Sequence, residues 1–215
     1  MRFEAARFAV RFALASSTLV VALAGCNAAT GATAPASASS ASPVAVVPAS
    51  PAPSSAPSAS PGPSRPTVPI DPTLLAILPS TVAGQAITEI PEIEANLKTD
   101  PDLVANAAAL AVGLGVNSGT GDFAYVAVVE LKPMVFTNAW FVSWRQSYDE
   151  SACSQSNGLA GTTNTTIGGM SVFVGTCNGG ARTYHVHLTG PDRLVSITSV
   201  GSADYGEMVV AGLKP

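Results

Sequence analysis

Charge and aromatic side chains are both scarce in this chain of 215 residues: 11% of positions are charged and 6% aromatic, although 47% are hydrophobic. Soluble domains average about 25% charged residues, so part of the chain is diluting them. Basic residues are scarcest. From Val68 to Pro215 thirteen acids face six bases, a formal charge of −7, with no Lys/Arg cluster. Such a surface repels phosphate backbones, which excludes nucleic acid as a partner. Three cysteines are present and none forms a Cys-x-x-Cys pair, which argues against a dithiol redox site. Gly-x-Ser-x-Gly, His-Glu-x-x-His and a Ser-x-x-Lys in context are all missing. Gly113-x-Gly115 and Gly119-x-Gly121 lack the third glycine of a dinucleotide fingerprint. No catalytic residue, cofactor or metal site is therefore expected, and the chain reads as a non-enzyme.

What is present begins with an export signal. Arg2, Arg7 and Arg11 outweigh Glu4, and an uncharged apolar run extends from Phe12 to Gly25. That run is shorter than the roughly 20 residues a membrane-spanning helix needs, but it fits a secretory core. It ends in Leu23-Ala24-Gly25-Cys26, where the chain resembles bacterial lipoprotein precursors at every lipobox position. The resemblance implies removal of residues 1–25 as a signal peptide and acylation of the Cys26 thiol. The protein would then be held to the outer face of the bacterial cell membrane, within the envelope, by lipid alone.

Residues 26–67 form the next segment. Between Asn27 and Thr67, 31 of 41 residues are Ala, Ser or Pro, and Arg65 is the single charge. A stretch with so little apolar area to bury is expected to be a disordered tether. Fully extended, it would reach on the order of 120 Å from the anchor.

Residues 68–215 suit one domain. Ile90 to Ala109 carries acids and alanines around Pro91 and Pro101, consistent with short helices. Leu110 to Val116 and Phe123 to Leu131 flank a turn at 117–122 and read as a hairpin. Thr137 offers an N-cap to a helix with Trp140, Phe141, Trp144 and Tyr148 along one face, expected to pack on the sheet. Beyond Thr165, glycine-rich turns punctuate a meander of strands, and Ala203 to Leu213 reads as a closing helix. With an even loop at Asn178-Gly179, Phe173 would share the core face with Tyr184, Val186, Val195 and Ile197. The whole is α+β: an antiparallel sheet packed by a few helices. In element order it looks like small exported PsbP-like modules, a likeness that carries no functional residue.

Cys153 and Cys177, the two cysteines left after lipidation, are expected to form a disulfide in an oxidising compartment. His185 and His187 sit two apart on a strand and share a face. Two imidazoles could ligate zinc, but no third ligand is near in sequence, so they are read as polar residues on the outer side of the sheet. The paired acids Glu92/Glu94 and Asp100/Asp102 lack the context of a calcium loop or a glycosidase pair. The expectation is a membrane-anchored surface lipoprotein with a non-catalytic binding or envelope-assembly domain, its partner a protein or small-molecule ligand. The rival is an envelope-acting hydrolase whose site is scattered along the sequence.

Overall fold

The computed structural model describes residues 65–215. The expected signal peptide, Cys26 and the expected tether up to residue 64 lie outside the described residues. Within the rest, the expected α+β class is found. A seven-stranded antiparallel sheet takes strands β3 (Thr88–Glu89), β4 (Ala107–Val116), β5 (Phe123–Leu131), β6 (Leu159–Ile167), β7 (Met170–Cys177), β8 (Arg182–Leu188) and β9 (Arg193–Val200). Their spatial order is β3-β4-β5-β9-β8-β7-β6. The hairpin β4–β5 and the meander β6–β9 join through the β5–β9 pairing, with Val126 opposite Ile197. A separate two-stranded ribbon pairs β1 (Thr81–Val82) with β2 (Gln85–Ala86).

Side chains cap two of the α-helices. Asp100 accepts from the backbone N–H of Asp102 and Leu103, and Pro101 opens α2 (Pro101–Asn106). Thr137 accepts from the Trp140 N–H at the head of α3 (Asn138–Cys153), as the sequence suggested. Pro91 begins α1 (Pro91–Leu97), and Asp71 caps a 3₁₀ turn at Pro72–Ile77. The closing helix, α4, is shorter than expected, Tyr205–Ala211. No helix among the described residues is long and apolar enough to cross a membrane.

Both faces of the sheet are covered. One packs Ala124, Val126, Val128, Tyr184, Val186, Val195 and Ile197 against Leu74, Val209 and Val210 from the 3₁₀ turn and α4. The other packs Leu110, Val112, Tyr125, Ala127 and Val129 against Leu103 of α2 and Phe141 of α3. The continuous apolar reading of β4 and β5 follows, because strands buried on both sides have no reason to alternate.

Two expectations about the meander fail. The turn after β7 takes three residues, with Cys177 and Ala181 bonded across Asn178-Gly179-Gly180 and Gly180 at φ +85°. An odd loop reverses the parity of the strand before it. Phe173 therefore lies opposite His185, and Val174 opposite Tyr184. Phe173 packs with Phe141 on the α3 side, away from the Tyr184 face. In addition, the first strand of the meander begins at Leu159, well before Thr165.

Candidate functional site

The histidine face of β8 is an interior face, which corrects the expectation of outward polar residues. His185 is fully buried beneath α3, and His187 is largely covered. The two do share a side of the strand, as their spacing requires, but α3 lies over that side.

Helix α3 lays two adjacent ridges on the sheet, Trp140-Trp144-Tyr148 and Phe141-Arg145-Asp149-Cys153, each spaced by four residues. From these ridges Asp149 reaches the sheet, where its Oδ1 lies 2.9 Å from His185 Nε2 and also receives the Thr183 hydroxyl. On the other side of the ring, His185 Nδ1 is 3.0 Å from Ser196 Oγ, and the Trp144 indole donates to that same oxygen at 3.1 Å. Tyr148 presses edge-on against the His185 ring and shares a 3.0 Å hydrogen bond with Thr198. Gly175 makes room for the carboxylate: a side chain there would collide with Thr183 and Asp149.

One proton arrangement satisfies every member. Trp144 N–H donates to Ser196, the Ser196 hydroxyl donates to His185 Nδ1, and His185 Nε2–H donates to Asp149, which Thr183 also supplies. The imidazole is neutral in this arrangement. Burial holds its pKa below the usual value and outweighs the opposing pull of Asp149. The guanidinium of Arg145 stacks 3.8 Å over Phe173, and burial lowers its pKa too, against the raising effect of Asp149.

Aspartate, histidine and serine in contact invite comparison with a hydrolytic triad, but the wiring is inverted. In a triad the acid orients Nδ1–H and Nε2 serves the nucleophile. Here the acid is on Nε2 and the serine on Nδ1. Ser196 and His185 are both 0% exposed, so no substrate carbonyl can approach the Ser196 oxygen. Chemically, the set bolts α3 to β8 and β9.

His187 is served separately. Its Nε2 lies 2.9 Å from Asp192 Oδ1, and Phe136 stacks on its ring at 3.5 Å. The two imidazoles thus point at different carboxylates, and among the described residues no three metal-ligating side chains gather. Of the paired acids, Glu94 is buried and accepts the Val112 N–H at 2.7 Å, its pKa raised by burial and by neighbouring Glu89. Asp100 caps α2. Cys153, at the end of α3, is bonded to Cys177, at the end of β7, in a buried disulfide.

An accessible polar cleft lies on the opposite face, at the far edge of the sheet. It measures about 340 Å³ and is lined by Thr163, Thr165, Thr176, Arg182, Tyr184 and Glu207, among others. Arg182 is paired with Asp204 at 3.1 Å. The Tyr184 hydroxyl is buried without a hydrogen bond in good geometry, and burial raises its pKa over the lowering effect of nearby Arg182. Beside the cleft runs β6, whose residues are exposed from Leu159 to Thr166.

Sequence reasoning missed Asp149, Thr183 and Ser196. A signal for Asp149 was present: it shares the four-residue spacing of Phe141, Arg145 and Cys153, which places a carboxylate on a ridge that must be buried. No family model, no curated protein and no solved structure matches this chain.

Proposed function

We propose that the protein is a surface lipoprotein, anchored through Cys26 to the outer face of the bacterial cell membrane, whose domain is a non-catalytic binding or assembly module. The lipobox and the uncharged apolar run before it support the anchor, and the Ala/Ser/Pro-rich segment supports a stand-off from the bilayer. One observation carries the non-catalytic reading. The constellation best suited to acyl chemistry, Asp149-His185-Ser196, is sealed under α3 with its donors and acceptors engaged within the domain. Among the surfaces open to a partner are the uncharged strand β6 and the polar cleft next to it.

A fluorophosphonate probe, which phosphonylates activated serines with loss of fluoride, tests this on the intact native protein. No labelling is expected. Labelling that disappears in Ser196→Ala, with the fold retained by circular dichroism, would replace this reading with that of an envelope-acting hydrolase.

A further inference from the structure

The two edges of the large sheet are finished in opposite ways. Along β4 the outer groups are paired in succession. β3 meets Gly113 and Leu114, the Ile90 N–H donates to the Val112 carbonyl, and the Glu94 carboxylate takes the Val112 N–H. The segment around Ile70 then bonds both backbone groups of Leu110. Along β6 no such cover exists among the described residues. Its sequence, LAGTTNTTI, carries no charge and no proline, the devices by which edge strands commonly discourage pairing.

The residues of that edge specify what fits it. Thr162-Thr163-Asn164-Thr165-Thr166 reads the same in both directions. If two copies pair antiparallel about Asn164, asparagine meets asparagine and each threonine meets a threonine. Cross-strand pairs of this kind are favourable, and no like charges face one another.

The hydrogen-bonding phase agrees with that centre. β6 returns into β7 through Gly168-Gly169, both with positive φ, a two-residue hairpin loop whose flanking pair, Ile167 and Met170, exchanges backbone hydrogen bonds. By alternation, Thr165 and Thr163 also direct their N–H and C=O groups at β7, opposite Val172 and Val174. Thr162, Asn164 and Thr166 direct theirs at the open edge. Pairing centred on Asn164 joins outward groups to outward groups: Asn164 with its twin, and Thr162 with Thr166 in both directions. A centre on Thr163 or Thr165 would present backbone groups already bonded within the hairpin.

We infer that β6 is a self-pairing edge, and that two copies of this chain associate through it as a two-fold symmetric dimer with one continuous sheet. The contact is isologous, as two-fold dimers require. Thr163 and Thr165 lie across the axis from each other on the cleft side, so the two clefts adjoin at the junction. The inference names the partner of the proposed assembly module, and it is independent of both the anchor and the absence of catalysis.

Cysteine substitution in the purified full chain, under mild oxidation, tests the register. In a hydrogen-bonded antiparallel pair the Cα atoms are about 5.5 Å apart, within reach of a disulfide. Asn164→Cys should give a reducible species of twice the chain mass, above the level in the unsubstituted chain, which retains Cys26. Thr166→Cys alone should give little, whereas Thr162→Cys and Thr166→Cys together should cross-link. As an independent measure, light scattering of the purified full chain should report a dimer, and Asn164→Lys, which opposes two like charges at the axis, should report a monomer that keeps the wild-type circular-dichroism spectrum and whose melting temperature, unlike that of the wild type, does not depend on protein concentration. A monomeric wild type without an Asn164→Cys cross-link, or a dimeric Asn164→Lys, would overturn the inference.

Discussion

At the scale of single residues the domain is organised by His185. Its ring satisfies a serine on one side and an aspartate on the other, and all three residues are buried. An unmade buried hydrogen bond costs about 1–3 kcal/mol. His185→Ala leaves the Ser196 hydroxyl and one Asp149 contact unpaired and opens a cavity, so it should cost about 3 kcal/mol or more in chemical denaturation. The ring also makes stability depend on pH, with a definite sign. Because its folded pKa lies below the unfolded value near 6.5, unfolding takes up a proton between those two values. Stability should be full above about pH 6.5 and fall as the pH drops toward the folded pKa, below which this contribution levels off. Glu94 acts oppositely. Its raised pKa makes stability fall as pH rises from about 4.5. The two are separated by His185→Gln, which keeps a donor and an acceptor but does not titrate. The wild-type and variant stability profiles should converge as pH falls, and parallel profiles from pH 7 to 5 would refute the assignment.

At the scale of elements, α3 is held to the sheet at three points. These are Phe141 against Phe173, the His185 network in the middle, and the Cys153–Cys177 disulfide at its end. The cysteines are separated by 24 residues, a loop for which the chain-entropy model gives about 3.5 kcal/mol. Reduction of the native protein should therefore lower its melting temperature and expose two alkylatable thiols; an unchanged melting temperature after complete reduction would show that the bond constrains nothing. Most of these elements were legible before the structure. The Thr137 cap, the four-residue aromatic spacing and the paired cysteines are local signals, and each lies where it was expected. What could not be read was which way a strand faces. Asn178-Gly179 marks a hairpin, but one more loop residue, Gly180, turns Phe173 over. The outward reading of His185 and His187 failed because alternation in β8 fixes only that they share a side. Whether that side is wet depends on α3 arriving with Asp149, 36 residues earlier in sequence, to receive His185.

At the scale of the whole molecule, the charge distribution bears on how the protein is held. The folded residues from Val68 onward carry thirteen acids against six bases, so an anionic headgroup surface repels them, and none of their helices can span a bilayer. In the proposed reading attachment rests on the N-terminal segment, where Leu23-Ala24-Gly25-Cys26 would provide the chemistry. One acyl chain binds membranes only marginally, whereas the two or three on a lipoprotein cysteine hold firmly, at about 0.8 kcal/mol for each buried methylene. Serine has the size of cysteine but not the sulfur that a thioether requires. In cells fed labelled palmitate, the wild-type chain should carry label and sediment with membranes, while Cys26→Ser should carry none and should either appear in the soluble fraction or retain residues 1–25. Its folded domain should keep the wild-type melting temperature, because Cys26 is separated from Val68 by about 40 residues rich in Ala, Ser and Pro. Label on the Cys26→Ser chain would show that attachment lies elsewhere, and the lipobox would then have no part in anchoring it.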